Sequence, residues 1–287
     1  MSFKIICYGE ALWDRLPGGN RIGGALLNVS YHLHQLKANT ALVSRVGKDK
    51  WGVRILQFME ENGMAGIVQT DAIHPTGIVH VTIDKYDEVS YDIIEGASWD
   101  YISYTFDLEK LVQDSEYLVF GTLALRNEVS RSTLYQLIDR PIKKVLDVNL
   151  RSPFYSKKLL EDLLKKVDIV KMNENELEKL SAWWHIEGDS EIKMKRIAKR
   201  FSLDVLLITL GSRGASLWID GHILFQKSNK IKVKDTVGSG DAFLAGFLSK
   251  YVADGNVDKA LAFAVKMGGF VAQRQGGCPE YLLEEVQ

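Results

Sequence analysis

Asp235-Thr236-Val237-Gly238-Ser239-Gly240-Asp241-Ala242-Phe243 joins an extended apolar run to a helix-period one, and the rest of the chain is read outward from it. Glycine at 238 and 240 lets the backbone turn tightly and brings its N–H groups close to a ligand. The helix N-terminus adds partial positive charge at the same point, so the segment is a place for phosphate. An acid in a first helical turn is, taken alone, ordinary capping or compensation of the helix dipole. Asp241, however, would share its site with an anion. Two negative charges that close are costly unless one has a task, such as accepting a proton from an attacking hydroxyl.

Upstream of this segment, short β-branched runs alternate with helix-period stretches, the pattern of a parallel sheet covered by helices on both faces. Strands are expected at 4–8, 41–46, 117–120, 144–148, 168–172 and 205–209, and helices at 26–36, 51–61, 131–138, 174–182 and 192–200. Their order in the sheet is not readable from the pattern. One region breaks the alternation: 77–83 and 89–94, joined by turn formers at 84–88, read as a hairpin outside the main sheet. A hairpin needs further partners, and 15–22, with Pro17, Gly18 and Gly19, is a candidate third strand beside it. Beyond Lys230 a strand is expected at 231–234, followed by helices at 240–253 and 257–275. The expected organisation is one α/β domain over 1–287 with a mostly parallel central sheet and a small β-sheet lid formed by about 13–22 and 77–104.

A chain of 287 residues can bury a large single core. Lys+Arg 36 against Asp+Glu 37 leaves a formal net charge of -1, which gives no footprint for a polyanion such as nucleic acid. The two cysteines, Cys7 and Cys278, form no CxxC pair, and the scattered histidines show no HExxH spacing, so neither a zinc site nor a disulfide is expected. No apolar run is long enough for a signal peptide or a membrane span. The expectation is a cytoplasmic protein bound to neither membrane nor nucleic acid.

With these residues in view, the chain resembles the ribokinase-like (pfkB-type) carbohydrate kinases, whose C-terminal signature is similar to the segment from Asp235 to Phe243. The resemblance implies a three-layer α/β sandwich, Asp241 as catalytic base, and Gly238, Ser239 and Gly240 as an anion hole for the transferring phosphoryl group. It extends over nearly the whole chain. The run from Gly9 to Asp14 resembles the end of the family's first strand, where an Asp holds sugar hydroxyls, and Gly23-Gly24-Ala25-Leu26-Leu27-Asn28 resembles its GGAxxN helix start. Gly23 and Gly24 let a sugar lie against backbone, while Asp14 and Asn28 offer acceptors and donors to vicinal hydroxyls. The run from Ser44 to Asp49, with Gly52, is similar to the family's N-terminal signature. Leu26 stands where the common GGAPxN has proline, a change a helix start tolerates.

Asp147-Val148-Asn149-Leu150-Arg151 follows an apolar strand, so its polar residues fall where open α/β sheets bind ligands. It is similar to the family's DxNxR segment, which implies Asp147 and Asn149 on the sugar or metal side and Arg151 against phosphate charge. Asn173-Glu174-Asn175-Glu176 contains the family's NxxE pattern, in which Asn173 and Glu176 hold Mg²⁺ through water. The same spacing also makes a capping box. Thr209-Leu210-Gly211-Ser212-Arg213-Gly214 resembles the nucleotide-binding turn, so Thr209, Gly211 and Gly214 are expected to meet ATP together with Gly238 and Gly240. Phe263 to Lys266 lies where many relatives carry an Asn near adenine, which leaves the adenine contacts unassigned. The resemblance further implies a potassium ion near Asp235 and the Gly276-Gly277-Cys278 turn, and a homodimer through the lids.

A Rossmann oxidoreductase would carry GxGxxG after the first strand, and a P-loop protein GxxxxGK followed by Ser or Thr; neither is present. A non-catalytic sugar-binding regulator on the same fold is disfavoured by the intact Asp241 and its glycines. Within the family, the opening run from Gly9 to Asp14 and the lid stretches 74–77, 90–94 and 97–102 are most similar to fructokinases. Ribokinase, 2-keto-3-deoxygluconate kinase and adenosine-type kinases are the other members weighed. Arg15, Arg21 and Lys85, the cations of the lid, are expected to face solvent, which would disfavour a phosphorylated substrate.

Overall fold

Strand β1 (Ile5–Tyr8) has the sequence IICY and is buried on both faces, as expected of a strand between helical layers. It lies inside a nine-stranded sheet in a computed structural model that describes residues 4–16, 18–83 and 89–286. After β1 come β2 (Leu12–Leu16), β3 (Gly19–Gly23), α1 (Ala25–Gln35), β4 (Thr40–Gly47), α2 (Lys50–Glu61) and β5 (Ala65–Asp71). They are followed by β6 (Gly77–Ile83), β7 (Val89–Ile93), α3 (Phe106–Gln113), β8 (Tyr117–Gly121), α4 (Glu128–Ile138), β9 (Lys143–Asp147) and α5 (Lys157–Leu164). The remaining elements are β10 (Ile169–Asn173), α6 (Glu174–Trp183), α7 (Ser190–Phe201), β11 (Val205–Thr209), β12 (Gly214–Ile219), β13 (His222–Lys227), α8 (Ser239–Asp254) and α9 (Val257–Ala272).

The large sheet runs β13-β12-β11-β10-β9-β8-β1-β4-β5. Its pairings from β11 to β5 are parallel, and β12 and β13 close one edge antiparallel. Alternate residues of each strand serve opposite cores. Ile6, Tyr8, Leu118, Phe120, Leu206 and Ile208 pack with α3 to α7 on one face. Ile5, Cys7, Val119, Val205 and Leu207 pack with α1, α2, α8 and α9 on the other. The result is a three-layer α/β sandwich. Among the described residues no helix is long and apolar enough to cross a membrane.

The smaller sheet runs β3-β2-β6-β7. The segment expected as one strand at 15–22 falls into two, because β2 and β3 pair antiparallel while β2 also pairs parallel with β6. The turn expected at 84–88, with Lys85, lies outside the described residues. The stretch 95–104, expected as part of the lid, carries no strand: Ser98–Tyr101 is a short 3₁₀ turn. Trp99 there is fully buried and Ile102 joins the core beneath α3 to α5. The strand expected at 231–234 does not form either. Its backbone is spent elsewhere, since the N–H groups of Lys234 and Asp235 donate to Ala272 O at the end of α9.

Two ion-and-cap clusters tie the small sheet to the large one. Arg126 donates through Nε and Nη2 to the Asp100 carboxylate at 2.7 and 2.8 Å, and through Nη2 to Ile94 O at 2.6 Å, anchoring the end of β7. Asp49, the N-cap of α2, accepts from the N–H groups of Trp51 and Gly52, and its second oxygen accepts from Thr76 N at 2.8 Å just before β6. Gly52 must be glycine, because a Cβ there would lie 2.1 Å from Gly47 O. The N-terminal signature from Ser44 to Gly52 is thus a joint between α2 and the small sheet. Replacing Asp49 with Ala is expected to lower the unfolding free energy by about 2 kcal/mol. Urea denaturation measures this, and an unchanged midpoint would mean that the joint contributes nothing.

Candidate functional site

At the carboxyl edge of the large sheet, the ends of β1, β9, β10 and β11 converge on the first turn of α8, the crevice where open α/β sheets bind ligands. Gly238 caps α8 with φ 74°, and a Cβ on it would fall 2.4 Å from Gly277 Cα. Both the left-handed turn and the close approach therefore require glycine. The helix leaves the amides of Gly240 and Asp241 without intrahelical acceptors, facing the crevice with the positive end of the dipole behind them.

Two cavities meet here. One, of about 310 Å³, is lined by Glu10, Asp14, Asn28, Arg151, Lys171 and Asp241 among others. The other, of about 460 Å³, is mainly apolar and lies among Ile231, Val233, Phe243, Val265, Gly268 and Ala272. They share Thr209, Thr236 and Gly240 as a common wall. Asp241 faces the polar cavity alone, and its Oδ2 accepts from Asn28 Nδ2 at 2.8 Å. Burial pushes Asp241 up to about 6; the Asp147 charge adds to the rise, while Lys171, the Asn28 amide and Arg151 oppose it. Burial likewise pushes Asp14 up to about 6, against the pull of Arg151.

Of the residues singled out in the sequence, Asp14, Gly24, Asn28, Asn149, Arg151, Asn173, Thr209, Gly238, Gly240 and Asp241 line the polar cavity. Gly23 stands behind it: a Cβ there would lie 2.3 Å from Asp14 Oδ2, so its absence makes room for that carboxylate. Thr209, Gly211 and Gly214 line the apolar cavity with Ser239, whose Oγ donates to Gly268 O at 2.9 Å and pins α8 to α9. Asp235 accepts from the N–H groups of Val237 and Gly276, drawing the C-terminal turn against the strand of glycines. Arg15 packs over Trp51, and Arg21 donates to Gln275 Oε1; neither lines a cavity wall.

Asp147 was expected on the sugar or metal side, yet it lies behind the wall, 1% exposed, with both oxygens 3.0 Å from Lys171 Nζ. Asn173 and Glu176 form the capping box at the start of α6. Glu176 Oε2 accepts from Asn173 N and Oε1 from Leu150 N, which leaves each carboxylate oxygen a further lone pair. The cap leaves lone pairs on Asn173 and Glu176 that could meet a hydrated ion at the cavity's edge, while no cluster of three or more His, Cys, Asp or Glu that could hold a metal directly occurs among the described residues.

Two charged residues of the polar cavity were given no role by the sequence. Lys171 interrupts the apolar run of β10, and a lone lysine inside a strand buried on both sides is itself the signal. Glu10 follows β1; its Oε1 accepts from Ala25 N at 3.0 Å, its Oε2 is buried without a hydrogen-bond partner, and burial pushes it up to about 7.

Comparison with known proteins matches residues 17–282 to the model of the pfkB family carbohydrate kinases. The fructokinase of Klebsiella pneumoniae is 29% identical over 281 residues, 92% of this chain and 89% of that one. The fructokinase of Rhizobium leguminosarum bv. trifolii is 28% identical, over 89% of this chain and 82% of its own. Among solved structures, the fructokinase from Xylella fastidiosa with bound ATP superimposes with a TM-score of 0.87 at 19% identity, covering 100% of this chain and 97% of that one. A double mutant of the Vibrio cholerae fructokinase, in its fructose, ADP and potassium ion bound form, gives 0.82 at 22% identity, over 96% and 94%. At these identities the two structures speak for the fold. The family model spans the glycine turn, the ends of β9, β10 and β11 and the helix that build the crevice, and the chain belongs to the pfkB family of carbohydrate kinases.

Proposed function

We propose that this carbohydrate kinase transfers the γ-phosphate of MgATP to the 6-hydroxyl of fructose, giving fructose 6-phosphate. The observation that carries the proposal is the position of Asp241, a carboxylate at the first turn of α8 where a polar cavity and an apolar one share a wall. Sugar hydroxyls suit the polar side, where Asp14, Asn28 and the backbone at Gly24 present donors and acceptors. A nucleotide suits the apolar side, with its base among Ile231, Val233 and Val265 and its phosphates running past the turn from Thr209 to Gly214 toward Gly240. Mg²⁺ enters as part of this substrate.

As the sugar oxygen attacks the γ-phosphorus, its proton passes to Asp241, the bond from phosphorus to the ADP oxygen breaks, and ADP leaves with that electron pair. The transferring group is met by the amides of Gly240 and Asp241 and by the charge of Arg151. Such transfers proceed through loose transition states, so positioning and charge do most of the work. Fructose is supported by the fructokinases among the relatives. A phosphorylated sugar is disfavoured, since Arg15 and Arg21 are engaged away from the cavity.

Asp241→Asn is expected to keep the fold and the nucleotide affinity while kcat falls by about 10²–10⁴-fold. The unmutated enzyme should lose kcat/KM as pH drops through about 6, because the raised carboxyl of Asp241 must be ionised to act as base. Near-normal turnover in the Asn variant would remove Asp241 from the mechanism. Because Glu176 caps α6 beside the cavity and keeps lone pairs for a hydrated ion, Glu176→Gln is expected to lower the melting temperature and to raise the Mg²⁺ concentration needed for half-maximal rate. An unchanged Mg²⁺ titration would leave Glu176 the capping role alone. Phosphorylation measured across fructose, ribose, 2-keto-3-deoxygluconate, adenosine and fructose phosphates should give the highest kcat/KM for fructose. A higher value for another sugar would leave the kinase assignment standing and end the fructose one.

A further inference from the structure

We propose that Lys171 is a further catalytic residue, a buried ammonium that binds the terminal phosphate of the nucleotide from beneath Gly240. This rests on the kinase reading above. The side chain of Lys171 is 8% exposed and that of Asp147 1%, and Nζ lies 3.0 Å from both carboxylate oxygens. Two of the three ammonium N–H bonds are thereby used, which leaves one. The pair sits at the wall shared by the two cavities, because a Cβ built on Gly240 would fall 2.9 Å from Lys171 Nζ. No side chain separates the ammonium from the first turn of α8, where the phosphate is expected to land. Arg151 and Lys171 are the cations lining the polar cavity, and Lys171 is held in place by both oxygens of Asp147.

A purely structural role does not account for this arrangement. Desolvating two charges costs more than packing two apolar side chains of similar volume, so a buried ion pair is a poor way to fill a core. Burial opposes the ammonium form of Lys171, and the charges of Asp147, Glu176 and Asp241 outweigh it, so the site is built to keep this lysine charged. A fixed cation in a site of low dielectric is what a transferring phosphoryl group requires. Asp147 then acts as a positioning residue, directing Nζ toward Gly240.

The test replaces the pair by an apolar one of similar size, Lys171→Met with Asp147→Leu, which removes both charges and keeps the packing. Calorimetric titration with a non-hydrolysable ATP analogue and with ADP is the first readout. The expected result is about tenfold weaker binding of the analogue with ADP affinity unchanged, the loss of one charge-assisted contact to the terminal phosphate. In turnover, kcat should fall by about 10²-fold. Analogue and ADP affinities both equal to those of the unmutated protein would overturn the proposal, as would equal weakening of the two. Lys171→Met alone should weaken the analogue further, because Asp147 is left as an unpaired anion beside the phosphate; binding as in the unmutated protein would also overturn it. An unmutated protein that binds neither nucleotide would overturn the kinase reading itself, an outcome distinct from nucleotide binding to which Lys171 adds nothing.

Discussion

The close approach of Gly238 to Gly277 is the contact on which the site depends. Their backbones leave no space for a side chain on Gly238, and a Cβ on Gly277 would lie 2.4 Å from Asn28 Nδ2. The C-terminal segment is held in that place by α1. Tyr31 donates its hydroxyl to Pro279 O at 2.9 Å, and His32 Nε2 lies 2.8 Å from Gly277 O. A carbonyl can only accept, so Nε2 carries the proton. Burial pushes His32 down to about 4, which keeps the ring neutral and makes Nδ1 the acceptor of the Tyr281 hydroxyl at 3.0 Å. One face of α1 thus fixes the segment that backs Gly238, and Gly238 in turn aims the first turn of α8. Asn28, on the same face, reaches Asp241 with its amide nitrogen while its Oδ1 accepts from Cys278 Sγ at 3.1 Å.

Charge in the crevice follows from this packing. Glu10, Asp14 and Asp241 face one cavity, with Asp147 just behind, and each is held in an environment poor in water. Burial raises the first three and their mutual repulsion adds to it, so the crevice alone would repel a polyphosphate. Lys171, Arg151 and the N-terminus of α8 supply the opposing potential at one end only. The polar end remains suited to neutral hydroxyls, and an anion is welcome only at the shared wall. The same division explains why the second cavity is apolar: a nucleobase needs area rather than charge.

The small sheet is coupled to this arrangement through few groups. Asp14 lies on β2, paired with β6, and the Asp49 and Arg126 clusters bind the ends of that sheet to the main body. Val79 and Ile93 from β6 and β7 line the polar cavity beside Leu123, so the sheet forms part of the chamber wall.

Periodicity alone made the core strands and most flanking helices legible, because a strand buried on both sides must be apolar throughout and a helix on a sheet must carry an apolar stripe. The glycine turn at 238–240 was legible for an equally local reason, since a left-handed φ next to a helix start admits little else. The edge strands β13 and β5 were missed, because edge strands are half exposed and their pattern is weaker; β12, largely buried between β11 and β13, went unread with them. The run 231–234 had the composition of a strand, but strand formation needs a neighbour with free backbone groups, and the amide of Lys234 meets the end of α9 instead. Asp147 and Lys171 show the same limit within the site. In the sequence they are an acid at the end of one strand and an interruption in the next; their pairing follows from β9 and β10 lying side by side in register. The sequence by itself therefore determined what each segment is and which residues carry chemistry. Only the tertiary structure decided which of them face the cavities and which, like Asp147, hold a cavity residue from behind the wall, because that depends on contacts between segments far apart in the chain.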